Sequence, residues 1–165
     1  MKIDENKKEV ARKKSLGELG ELFAVKALVD NRYEKIINLN DKKMNFPFAD
    51  LYAEKDGERL IISVKARNKF QKDNKLNAFY NLGSNAYKKA AFAEKEYDAT
   101  PYWMVIQFDQ FKYSIYFGSL GELSEKKAIP IRLCEEGNIG ICLVKDKKHY
   151  FDFGFFGNEK DKLNT

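Results

Sequence analysis

The sequence predicts one α/β domain built on a mixed β-sheet, and three observations carry that expectation. An apolar-striped helical segment is followed by strand-like runs, a second helix and more strands, with no linker and no internal repeat. The chain has 165 residues, about one domain's worth and enough for a core without disulfide or metal staples. Hydrophobic residues make up 44%, including 13 Phe and 9 Tyr, which supplies far more apolar area than a disordered chain carries.

Taken in order, residues 1–14 (MKIDENKKEVARKK) mix charges without apolar periodicity and predict a loose arm or fraying first turn. The domain proper is expected at 15–165. Ser15-Leu16-Gly17-Glu18 has the form of a capping box. The helix it opens runs to about Val29, with a stripe of Leu16, Leu19, Phe23 and Ala27 widened by Leu22, Val25 and Val29.

Strand-like runs follow at 34–39, 46–53 and 59–66, the last two joined over Asp56-Gly57, a strong hairpin turn. The run Leu60–Lys65 is dense in β-branched residues, as suits a central strand. Period 2 puts Ile61, Ser63 and Lys65 on one face and Leu60, Ile62 and Val64 on the other. A polar loop (67–81) leads to a second helix near Ser84 with a stripe of Ala86, Ala90, Ala93 and Tyr97. Runs 102–108 and 112–117 form a further hairpin, and Ser119 with Glu122 caps a short helix. Three more strands are expected at 129–133, 139–144 and 150–155. The last two close over 145–148, where Lys145, Lys147 and Lys148 read as a charged tip.

Several function classes drop out. The longest charge-free apolar stretch, 101–108, is far short of the roughly 20 residues of a membrane span. The N-terminal residues lack the apolar core of a secretory signal, so a cytoplasmic protein is expected. Cys134 and Cys142 are too few and too far apart for a zinc knuckle or redox pair, and read as small buried hydrophobes on strands. The single His149 lacks a Ser or Cys motif to serve and reads as structural. Glycine-rich phosphate loops are missing. A net charge of +5 permits a nucleic-acid partner without demanding one.

Chemistry is signalled by polar groups placed where the pattern calls for burial. Asp50 interrupts Phe46-Pro47-Phe48-Ala49-Asp50-Leu51, and Lys65 ends the most hydrophobic strand. Burying either charge alone costs several kcal/mol, so each needs a partner or a task. The Asp56-Gly57 hairpin brings the two strands side by side, so Asp50 and Lys65 can meet near its far end. Glu21 is the third candidate, with Gly17, Glu18, Ala24 and Val25 as its helical neighbours. The plain alternative is a buried Asp50–Lys65 ion pair beside a surface glutamate, in an interaction domain without catalysis.

The stretch GELGELFAVKAL, then FPFADLYAEKDGERLIISVKAR, resembles the PD-(D/E)xK nuclease superfamily. The likeness is to its small members, archaeal Holliday-junction resolvases and related small GE-helix proteins, and spans residues 15–108. It implies a restriction-endonuclease-like fold, a mixed sheet flanked by helices, here with extra C-terminal strands. It also implies a Mg²⁺- or Mn²⁺-dependent endonuclease that hydrolyses phosphodiester bonds in nucleic acid, with DNA the expected substrate. By position, the resemblance makes Glu21 the helix carboxylate and Asp50 the metal-bridging aspartate. The Val64 carbonyl becomes a metal ligand, and Lys65 the lysine that orients or deprotonates the attacking water. Hard oxygen ligands suit such a cation.

One position departs from the family pattern. Ser63 stands where a Glu or Asp is usual, so the site lacks one negative charge. That departure supports the alternative of a catalytically impaired nuclease-fold module that binds nucleic acid or a protein. Beside the motif, Lys65, Arg67, Lys69, Lys72 and Lys75 surround Phe70 and Gln71, with Asp73 opposing them. Such a loop suits phosphates, with Phe70 as a stacking surface. Branched-DNA enzymes of this fold are often dimers, which makes a homodimer through the aromatic run 150–156 an expectation.

Overall fold

The computed structural model describes residues 2–42 and 46–149. Helix α1 (Lys2–Asp30) precedes strand β1 (Glu34–Asn38) and a 3₁₀ turn (Leu39–Asp41). Strands β2 (Leu51–Lys55) and β3 (Glu58–Asn68) follow, then β4 (Phe79–Asn81) and helix α2 (Ala86–Tyr97). Beyond them lie β5 (Thr100–Asp109), β6 (Lys112–Ser119), a second 3₁₀ turn (Leu120–Leu123), β7 (Ala128–Pro130), helix α3 (Ile131–Glu135) and β8 (Ile141–Lys148).

The main sheet has six strands in the order β1-β2-β3-β5-β6-β8, and β4 pairs with β7 in a small second sheet. Asp56 and Gly57 form the β2–β3 turn with φ of 50° and 82°, the left-handed pair a two-residue hairpin requires. β3 then pairs parallel with β5 from Leu60↔Thr100 to Asn68↔Phe108. Parallel strands need a crossover, and the segment through α2 supplies it. The other neighbouring strands of the sheet are antiparallel. The expected mixed α/β sheet flanked by helices is therefore present.

Helices cover both faces. On one, Leu16, Phe23, Ala24, Ala27 and Leu28 of α1 pack on Leu60, Ile62, Met104, Ile106 and Ile115. On the other, Ala86 and Ala90 of α2 pack in a cluster with Trp103, Val105 and Tyr116, while Ala93 joins Ile61 and Leu39. Trp103 is fully buried against Gly118 and Gly140, at neither of which a Cβ would fit, and its Nε1 donates to the Ser119 carbonyl at 3.0 Å. His149 is buried among the rings of Phe23, Phe108 and Tyr113, in keeping with a structural role.

Several local expectations are corrected. Residues 2–14 continue α1 and Ser15 lies inside the helix, so the capping box there does not form. The segment contains neither Gly nor Pro, Asp4 and Glu5 offset the helix dipole at its start, and Glu9 pairs with Arg12 one turn on. Leu22 and Val29 lie off the packed stripe, 68% and 57% exposed. The run 46–50 is a turn: Pro47 has no N–H to give a ladder, its carbonyl accepts from Ala49 at 2.8 Å, and Phe48 sits at φ 67°. The run 129–133 divides into β7 and α3, and Lys145–Lys148 lie within β8 rather than at a hairpin tip. Cys134 is buried but in α3, and Cys142 is exposed. The Ser119–Glu122 capping box is present as expected. The strand expected at 150–155 and the aromatic run to 156 lie outside the described residues. Among the described residues, no helix is long and apolar enough to cross a membrane.

Candidate active site

Gly20 brings the helix to the strand. A Cβ there would collide with the Cβ of Ala66 and lie 3.7 Å from its Cα, so only glycine allows α1 this close to β3. Glu21, the next residue, is thereby held over the point where the β2–β3 ladder ends. That ladder stops at Leu51↔Ile62, leaving β3 from Ser63 onward without a β2 partner.

Asp50 occupies the mouth of this opening. Its backbone N–H continues the pairing by donating to the Ile62 carbonyl at 2.9 Å, and its Oδ2 accepts the Val64 N–H at 2.7 Å. The turn at Pro47–Phe48 thus sets the aspartate's side chain where the next ladder bond would have been. Val64 and Ala66 face α1, so alternation turns Ser63 and Lys65 toward the α2 side. Glu21 and Lys65 thus flank Asp50 from opposite faces, around the end of β2, without a direct hydrogen bond or ion pair to it among the described residues.

Two asparagines complete the cluster. Asn38 Nδ2 donates to Glu21 Oε2 at 3.3 Å, and Asn40 Nδ2 lies 3.2 Å from Glu21 Oε1 and 3.4 Å from Asp50 Oδ1. Asn38 Oδ1 also accepts the Asn40 N–H at 2.9 Å, capping the first 3₁₀ turn. Buried Leu39 between them donates its N–H to the Asp50 carbonyl at 2.9 Å, tying the turn to the aspartate.

The electrostatics follow from this crowding. Burial pushes the Glu21 carboxyl above the usual carboxylate range and the Asp50 charge adds to the rise, while the two asparagine amides oppose it. Burial raises Asp50 as well, against the Val64 N–H, the Lys65 charge and the Asn40 amide. Both carboxyls therefore hold their protons more readily than free ones. Lys65 acts on Asp50 at a distance, because among the described residues no ion pair joins them.

Of the residues singled out by sequence, Glu21, Asp50, Val64 and Lys65 gather at one opening. Ser63 lies beside them on β3, 1% exposed, with no hydrogen bond to either carboxylate. Asn38 and Asn40 were not anticipated. An Asn-x-Asn step directly after a strand was the available sign, since asparagine there favours local capping over ladder pairing.

The basic loop is ordered by backbone hydrogen bonds, one of them to β5. Lys69 N–H donates to the Phe108 carbonyl at 2.7 Å, Asn77 N–H to the Lys69 carbonyl at 2.8 Å and Gln71 N–H to the Lys75 carbonyl at 2.7 Å. Phe70, 47% exposed, has the Lys69 ammonium 5.6 Å from its ring centre. Lys72 reaches Glu9 of α1 at 3.6 Å and Lys75 pairs with Asp73 at 3.6 Å, so two of the five cations already have carboxylate neighbours. Arg67 is exposed.

No family model and no curated protein matches the sequence. Among solved structures, the chain is similar to Hjc of Archaeoglobus fulgidus, described as a Holliday junction resolvase from an archaeal hyperthermophile. The TM-score is 0.53 at 17% identity, over 77% of this chain and 96% of that one. The likeness shows a resolvase-type fold. Within that resolvase-like architecture, Asp50 lies at the open end of β2, where its Oδ2 accepts the Val64 N–H.

Proposed function

We propose that the chain is a metal-dependent endonuclease that hydrolyses phosphodiester bonds in nucleic acid, with DNA the expected substrate. The observation that carries this reading is Asp50, placed by the Val64 N–H at the ladder's end with Glu21 and Lys65 converging on it from opposite faces.

The donor set fits a hard divalent cation such as Mg²⁺ or Mn²⁺. Two carboxylates lie close enough to share one amide, and burial raises the pKa of both, with the Asp50 charge adding to the rise at Glu21. Asp50 Oδ1, Glu21 and the Val64 carbonyl are the oxygens that would hold it. Such an ion, when bound, polarises the scissile phosphate and makes a bound water more acidic. Lys65 supplies the fixed positive charge that steadies the phosphate and the attacking water. The Val64 N–H keeps Asp50 in one orientation, and Gly20 sets the distance at which Glu21 stands. Arg67 and Lys69, with Phe70 between them and the loop tip, suit a phosphate backbone and an unstacked base.

A second reading has its own support. Among the described residues no group of three or more His, Cys, Asp and Glu side chains gathers for a metal, and Ser63 adds no charge. A nuclease fold with that deficit would serve as a binding module for nucleic acid or a protein. Incubation with Mg²⁺ or Mn²⁺ and duplex, branched and single-stranded DNA and RNA separates the two, with Asp50→Ala as control. Cleavage lost in Asp50→Ala supports the enzyme. Salt-sensitive binding without cleavage supports the module, and neither cleavage nor binding overturns the nucleic-acid assignment.

A further inference from the structure

We propose that Asn40 is a ligand of the divalent cation and that its amide oxygen makes up for the carboxylate missing at Ser63. The inference rests on the metal-dependent reading above and assigns a role to a residue outside its motif.

Asn40 Nδ2 stands between the two carboxylates, 3.2 Å from Glu21 Oε1 and 3.4 Å from Asp50 Oδ1. A cation held by both carboxylates would compete for that space. An –NH₂ group cannot remain there beside a cation, because its hydrogens carry positive charge. A half-turn of the side-chain amide exchanges nitrogen for oxygen at nearly the same point and presents a neutral, hard acceptor. Without the cation the amide donates to both carboxylates; toward a bound cation its oxygen would offer a lone pair instead.

The two asparagines differ in their freedom to do this. Asn38 is committed at both ends, its Oδ1 to the Asn40 N–H at 2.9 Å and its Nδ2 to Glu21 at 3.3 Å. Asn40 Oδ1 accepts no hydrogen bond among the described residues, so turning the amide breaks nothing on its other side. The Asn40 backbone stays fixed meanwhile, through the Asn38 cap and the Leu39-to-Asp50 bond of 2.9 Å. Only the side chain needs to move.

Ser63 is the poorer place from which to restore a ligand. It is closed in, 1% exposed and in register with buried Trp103, so a longer acid there meets packed core. Asn40 is half-buried and already points at both carboxylates.

The test is Mn²⁺ binding to the full chain without nucleic acid, by isothermal titration calorimetry in chelator-treated buffer. Wild type is expected to bind. Asn40→Ala is expected to bind at least about tenfold more weakly, and Asn40→Asp at least about tenfold more tightly, since a third carboxylate then faces the ion. An Asn40→Ala variant that binds within twofold of a binding wild type overturns the Asn40 role alone and leaves the metal site standing. A wild type that binds no Mn²⁺ overturns both. If Asn40→Ala loses its far-ultraviolet circular dichroism, the comparison of Asn40→Asp with Asn40→Ser decides. Asp binding no more tightly than Ser refutes the proposal.

Discussion

Gly17 and Gly20 lie three residues apart on one helix, yet alanine at the two positions is expected to act with opposite sign. At Gly17 a Cβ meets nothing within 4 Å, so Gly17→Ala gains only the helix preference of alanine, about 0.8–1.0 kcal/mol. At Gly20 the new methyl falls on Ala66, whose Cα is 3.7 Å away. Restoring an ordinary separation of about 3.5–4.0 Å between the methyls lifts the helix by about 1 Å. Such overpacking costs about 1–3 kcal/mol, and the rigid β3 backbone puts the cost in the upper half of that range. Subtracting the helix gain leaves a net loss of roughly 1–2 kcal/mol. For a chain of this size each kcal/mol moves the melting temperature by about 2–4 °C. Calorimetry should therefore show Gly17→Ala melting a few degrees higher than wild type and Gly20→Ala a few degrees lower. The double change Gly20→Ala with Ala66→Gly returns the space, so the two substitutions should couple favourably by about 1 kcal/mol or more. Gly20→Ala as stable as Gly17→Ala, or no coupling to Ala66→Gly, refutes the close-approach account. On the proposed nuclease function, cleavage should fall further than stability, since Glu21 moves with the helix and displacement of a positioned group by about 1 Å can cost on the order of 100-fold.

Acidity offers a second test. Both Glu21 and Asp50 have carboxyl pKa values raised by folding, so between the ordinary carboxylate range and those raised values the folded chain binds more protons than the unfolded chain. Their contribution to stability therefore falls as pH rises through that window and stays unfavourable above it. Thermal unfolding in chelator from pH 4 to 7.5 should show a smaller loss with rising pH for Asp50→Asn than for wild type; equal slopes contradict the crowded pair. For the loop, Lys69→Ala, Lys72→Ala and Lys75→Ala should weaken DNA binding uniformly across sequences. Removing a cation that neutralises one phosphate lowers the slope of log affinity against log salt by about 0.9, and an unchanged slope for all three removes the loop from the interface.

How far the sequence was legible follows from which interactions are local. Asp56-Gly57 marked its hairpin because the turn geometry is a property of those two residues, and the Ser119–Glu122 box held for the same reason. The β-branched run at Leu60–Val64 marked the central strand because only a strand buried on both faces tolerates it. Glu21, Asp50, Val64 and Lys65 were singled out through an ordered set of short motifs, and the fold sets them around the end of β2. Residues 2–14 misled because their charges suggested a solvated arm, whereas lysine, glutamate and alanine extend a helix once tertiary packing has nucleated it downstream. Leu22 looked like core only because the sequence does not say how wide a stripe the sheet will cover. Asn40 stayed hidden because its meaning lies in hydrogen bonds across 19 and 10 residues of sequence, and no local pattern encodes those.

The early end of the β2–β3 ladder also dictates a sequence of events. Up to Ile62, β3 has a partner three to eleven residues away, so that part can zip as a local hairpin, within about 1–10 μs. From Ser63 to Asn68 its strand partner is β5, 40 residues on, and this pairing waits until the whole crossover has closed on itself. Asp50 can capture the Val64 amide firmly only once that stretch is extended. The segment carrying Lys65 is thus completed after the scaffold around it, and a chain halted partway through folding would own a hairpin and a helix but no Asp50–Val64 clasp.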